Sequence, residues 1–196
     1  MDRQLIDLPE QTPLNCLPQQ NVTETLDVSQ GKLCMGFTTQ INNRHRLYIP
    51  AQVLTVLYGS STGKLFNVVR EKMSLCYDIG GMFYGIKGFM TVSAGIDFDK
   101  KEQVQAEILN QLRACRDGEI TEAELQNAKI SLISQLQAAH DSPGSIEGYY
   151  STAVLSGAMM TPDDYIRAVE QVTMEQVQQA AHSLRLNTTY FLKGVN

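Results

Sequence analysis

Residues 57–77 read Leu57-Tyr58-Gly59-Ser60-Ser61-Thr62-Gly63-Lys64-Leu65-Phe66-Asn67-Val68-Val69-Arg70-Glu71-Lys72-Met73-Ser74-Leu75-Cys76-Tyr77. This stretch joins two kinds of sequence. Upstream, Leu47, Ala51, Leu54 and Leu57 or Tyr58 recur at helical spacing, which predicts an amphipathic helix over about 47–58. Gly59 to Gly63 breaks it, and a second short helix over 64–72 is expected to turn Leu65, Val68 and Val69 inward. Downstream, 75–84 and 89–98 are rich in aromatic and β-branched residues and are joined by Gly85-Ile86-Lys87-Gly88, the pattern of a β-hairpin. In its second arm Met90, Val92, Ala94, Ile96 and Phe98 form the more apolar parity and are expected to face the core. Arg70 then falls at a helix end and Tyr77 at the opening of a strand.

Working outward, residues 1–20, with Pro9, Pro13 and Pro18, read as a linker or tail, and 21–196 as the folded domain. Strand-like runs cover 21–28, with Val22, Leu26 and Val28 on one parity, and 32–40. From Asp99 onward the period is helical, with helices expected over about 100–116, 122–140, 143–157, 162–171 and 174–184. Their starts are marked by capping-box pairs, Asp99 with Glu102, Thr121 with Glu124 and Thr173 with Gln176, and by Pro143 and Pro162 in first-turn positions. Residues 187–192 read as a last strand. The order of strands, helix pair, hairpin, helices and strand predicts an α+β fold in two layers, a mostly antiparallel sheet covered on one face by helices.

Composition narrows the function classes. With 43% hydrophobic and 19% charged residues in 196, the chain is globular and long enough to bury a core without disulfide or metal. A net charge of -5 argues against a nucleic-acid surface, which needs clustered Lys and Arg. The four cysteines, Cys16, Cys34, Cys76 and Cys115, show no C-x-x-C pairing and read as reduced thiols. No signal core and no apolar run near the roughly 20 residues of a membrane span is visible. No membrane association and a cytoplasmic location are the expectations.

The residue patterns that carry chemistry are sparse. His45, His140 and His182 are far apart in sequence, so neither zinc-helix motif with two histidines one helical turn apart occurs, and no metal is expected in this chain. Gly59–Lys64 has three residues between its glycines where a phosphate loop needs four, and Leu65 stands where the magnesium-binding hydroxyl belongs. It reads as a helix–helix turn. No G-x-S-x-G elbow is present. Cys76 is a nucleophile only if a base lowers its pKa, and a structural thiol is the simpler reading.

The run 57–77 resembles the "LGG…S-x-L-F…V-R-E-K…G-L-A-Y" segment of the insulinase/pitrilysin family of zinc peptidases, which includes the mitochondrial processing peptidases. Gly31–Phe37 resembles the "L-x-x-G-F" strand that opens a C-terminal domain of that family, and Gly118–Lys129 its "G-x-I-T-x-x-E-L-x-x-A-K" helix start. The similarity spans about 22–193 in the family's order. It implies one half of a two-domain clamshell, the half without the inverted zinc motif. It further implies that zinc sits on an N-terminal domain or a homologous subunit, that the substrate is a peptide or protein, and that the isolated chain is inactive. An Arg and a Tyr seven residues apart match Arg70 and Tyr77. By resemblance the Tyr hydroxyl bonds the scissile carbonyl or its oxyanion and the Arg helps position it. Ser74 replaces a usual Gly, Cys76 a usual Ala, and Tyr58-Gly59 the glycine pair. The alternative reading is a non-catalytic homologue or subunit that binds a peptide or a partner.

Overall fold

The computed structural model of the protein describes residues 18–195; the tail expected over 1–20 lies mostly outside them. Among the described residues five strands form one sheet: β1 (Gln20–Leu26), β2 (Gly31–Thr38), β3 (Asp78–Tyr84), β4 (Phe89–Ile96) and β5 (Arg185–Gly194). Their spatial order is β1-β5-β2-β4-β3. β1 runs parallel to β5 and every other neighbour pair is antiparallel, the mostly antiparallel sheet expected from the sequence.

Side-chain alternation gives the sheet one dry face. Register places Leu33 opposite Ala94 and Phe191, Met35 opposite Val92 and Thr189, and Phe37 opposite Met90, and all of these are buried. Alternate residues such as Lys32 and Ser93 point the other way and stay exposed. Helices α1 (Tyr48–Gly59), α2 (Lys101–Asp117), α3 (Glu122–His140), α4 (Pro143–Ser156), α5 (Pro162–Glu170) and α6 (Met174–Ser183) complete the domain, and the apolar faces of α1, α2, α3, α5 and α6 join the same core cluster as the inner sheet face. β1 differs from expectation. It is exposed along its whole length, so the one parity that Val22 and Leu26 share, opposite Tyr190 and Gly194, is not buried in β1. Phe98 is also exposed, because β4 ends at Ile96 and the chain enters a 3-10 turn over Phe98–Lys100.

α1 carries the core of the helical layer. Val53, Leu54, Leu57 and Tyr58 are buried, and the Tyr58 hydroxyl donates to the Ile108 carbonyl at 2.7 Å. The residue that departs from the family's glycine pair is therefore a ring that fills the core and ties α1 to α2. Two helix starts are capped as the sequence predicts. The Thr121 and Glu124 pair and the Thr173 and Gln176 pair each form a reciprocal box, which typically contributes about 1 kcal/mol per cap. The expected Asp99–Glu102 box does not form; the 3-10 turn runs directly into α2 and supplies backbone continuity in place of a side-chain cap.

Candidate functional site

The second helix of the opening stretch is not an α-helix. Residues Phe66–Lys72 form a π-helix. Leu65 and Val69 are buried and hold it to the core, while Val68 is only half-buried, since the wider turn rotates it away from the expected apolar face. The turn closes on itself: Met73 donates to Val68 O at 3.0 Å, Ser74 to Arg70 O at 3.1 Å and Leu75 to Val69 O at 2.9 Å. Ser74 sits at φ +50°, in left-handed backbone. That is where a glycine costs least, which accounts for the glycine of the resembling segment.

After this turn Tyr77 N–H donates to Gly95 O at 2.8 Å, and β3 starts one residue later, not at Leu75. Arg70 and Tyr77 are thereby placed on the wall of one open cleft of about 420 Å³, together with Glu71, Ser74, Leu75, Cys76 and Asp97. Tyr77 is 56% exposed. Its hydroxyl donates to Asp97 Oδ1 at 2.5 Å, and that hydrogen bond, followed by the carboxylate's charge, raises the phenol above its ordinary pKa. Arg70 Nη1 is 3.4 Å from Glu71 Oε1, and its guanidinium lies 4.8 Å from the Phe66 ring centroid. Both candidate side chains are thus solvent-facing and each meets a carboxylate of the same chain. Sequence reasoning missed Asp97 and Glu71. Asp97 lies 20 residues from Tyr77 and is brought to it only by β3–β4 pairing.

The other chemical candidates settle differently. Burial and the nearby Asp78 charge push the Cys76 thiol up to about 11, with Arg70 only partly opposing them. A thiol held protonated near neutrality is no ready nucleophile. Lys64 of the phosphate-loop lookalike is engaged by Glu124 at 2.9 Å, and Asn67 Nδ2 closes the loop on Thr62 O at 2.9 Å. This is a helix–helix turn. His45 Nδ1 accepts the Leu47 amide at 3.1 Å, a role at the entry to α1. A larger cavity of about 710 Å³, walled by Tyr48, Tyr149 and Tyr165, lies between α1, α3, α4 and α5 and includes neither Arg70 nor Tyr77.

Residues 3–132 match the family model described as the peptidase M16 inactive domain. The chain belongs to the M16 family. These are the insulinase/pitrilysin peptidases of the resemblance. The M16 chain is 32% identical over 174 residues to a protein named probable inactive metalloprotease YmfF of Bacillus subtilis, covering 88% of this chain and 41% of that one. It is 27% identical over 168 residues to an uncharacterized zinc protease, YmxG, of the same organism. A crystal structure of a conserved protein from Enterococcus faecalis superposes with a TM-score of 0.87 at 31% identity, over 94% of this chain and 44% of that one. The M16 inactive domain from Pseudomonas fluorescens shares the fold at a TM-score of 0.77 and 18% identity, over 90% of this chain and 43% of that one. This M16 chain therefore spans about two-fifths of the curated relatives it matches. Among the described residues no three His, Cys, Asp or Glu side chains group to hold a metal ion, so the zinc that the family implies finds no fitting donor set in them. No helix among them is long and apolar enough to cross a membrane.

Proposed function

We propose that this chain is the non-zinc half of a two-part M16 metalloendopeptidase, closing over a peptide and supplying Arg70 and Tyr77 to the oxyanion side of the site. The observation that carries this reading is that a π-helical turn and a strand threshold deliver both side chains to one open cleft. A carbonyl oxygen gains negative charge as its peptide bond is attacked. A phenol O–H brought to it is worth more in that transition state than in the ground state. Arg70, a permanent cation about two turns of chain away, favours the same charge and orients the carbonyl. The zinc is assigned to a preceding domain or a homologous subunit, and the substrate to peptides or proteins.

The test is a reconstituted assembly of this chain with its zinc-bearing half. Tyr77→Phe should lower kcat by about 10²- to 10³-fold, the usual cost of one oxyanion donor, with little change in KM. An unchanged kcat overturns the reading. It would leave the second one, a non-catalytic subunit that binds a peptide or partner. That alternative is favoured by the B. subtilis relative, named a probable inactive metalloprotease.

A further inference from the structure

The Tyr77 hydroxyl has one proton, and in this chain it is given to Asp97. A phenol cannot donate that proton to a carboxylate and to an oxyanion at once. The bond is not a by-product of crowding, because both residues are exposed. Nor does Asp97 have a capping duty to perform: it precedes the Phe98–Lys100 turn without any side-chain cap. The backbone below is fixed, with Tyr77 N–H on Gly95 O at one side and β3 paired to β4 on the other. Only the Tyr77 side chain is free to move between acceptors.

We infer that Asp97 is a positioning residue that holds the Tyr77 hydroxyl turned from the substrate, so that the donor becomes available only when a peptide and the zinc-bearing half draw it off the carboxylate. This rests on the proposed role of Tyr77 and adds to it a restraint that favours the resting state. Charge works in the same direction. A carboxylate at hydrogen-bond distance from the phenol opposes any oxyanion formed beside it, so the productive position lies away from Asp97. The raised phenol pKa is the signature of the resting bond.

Two measurements test the inference separately from the role it builds on. In the chain alone, the ultraviolet titration of Tyr77 is read as the difference between the protein and its Tyr77→Phe variant. Asp97→Asn and Asp97→Ala should both move its midpoint down toward the ordinary phenol value; an unmoved midpoint overturns the bond itself. In the assembly with the zinc-bearing half, Asp97→Asn, which leaves only a neutral acceptor, should raise kcat by up to about tenfold, the difference between a charge-assisted and a neutral hydrogen bond, with KM little changed. In a Tyr77→Phe background it should do nothing. A fall in kcat on Asp97→Asn would make Asp97 a support and overturn the restraint. Loss of activity in Tyr77→Phe with no effect of Asp97→Asn would overturn the restraint and leave the oxyanion role standing. If Tyr77→Phe itself leaves kcat intact, the oxyanion role fails first, and the restraint falls with it.

Discussion

A Cβ added at Gly59 would stand 2.6 Å from the Gly81 Cα and 2.7 Å from the Gly81 nitrogen. The last residue of α1 and the middle of β3 thus pass backbone against backbone, and neither has a side chain to withdraw. Gly59→Ala should lower stability by about 1–3 kcal/mol, the usual cost of overpacking, seen as a lower urea midpoint at unchanged slope. A midpoint that does not move would mean that α1 slides freely on β3.

Ser74 offers the opposite prediction. Its φ of +50° costs a residue with a Cβ more than it costs glycine. Ser74→Gly should stabilise the chain by about 1 kcal/mol after the larger chain entropy of glycine is subtracted. The melting temperature should rise by about 2–4 °C. A fall would show that the Ser74 side chain makes an interaction worth more than the strain.

Cys115 sets an alkaline limit. It is buried in α2, and desolvation pushes its thiol up to about 12, with Lys64 partly opposing and Glu124 adding to it. Because the folded pKa lies above the unfolded value, the fold keeps a proton that the unfolded chain releases. Stability is fully present below about pH 9 and is lost as pH rises toward 12, by at most about 1.4 kcal/mol per unit from this group. In Cys115→Ala the urea midpoint should fall less steeply between pH 9 and 11 than in the parent. Parallel curves would remove Cys115 from the account.

Cys76 should resist thiol reagents near pH 8 and react faster as pH approaches its raised value of about 11. The label count lost in Cys76→Ala isolates its share. Rapid labelling at pH 8 would reopen the nucleophile reading.

How much of this was legible beforehand varies with the physics. The hairpin parity of Met90, Val92, Ala94 and Ile96 was readable because one side chain in two meets the core. Thr121–Glu124 and Thr173–Gln176 were readable because a capping box is local. Asp99–Glu102 has the same spelling and forms none, because the chain leaving β4 is already wound into a 3-10 turn. The exposure of Val22 was hidden because an edge strand's burial depends on what covers the sheet, not on its own alternation. Arg70 and Tyr77 were found by resemblance, and the structure places them on one cleft. Their carboxylate neighbours were not found. Glu71 looked like an ordinary helix residue, and Asp97 reaches Tyr77 only through strand register. The π-helix had no signal at all in side-chain spacing.

The position of β5 has a consequence for how the molecule is made. It is the last in sequence of the five strands among the described residues, yet it stands between β1 and β2 rather than at an edge. Gln20 pairs alongside Thr188, and Lys32 opposite Leu192. Such distant pairings carry a loop-closure cost and slow folding. Until residues 185–194 emerge from synthesis, β1 has no neighbour and β2 presents a bare edge, open to the wrong partner. A stop codon just before Arg185 would therefore not trim the protein; it would cut β1 loose from the sheet and leave β2, β4 and β3 with an open edge.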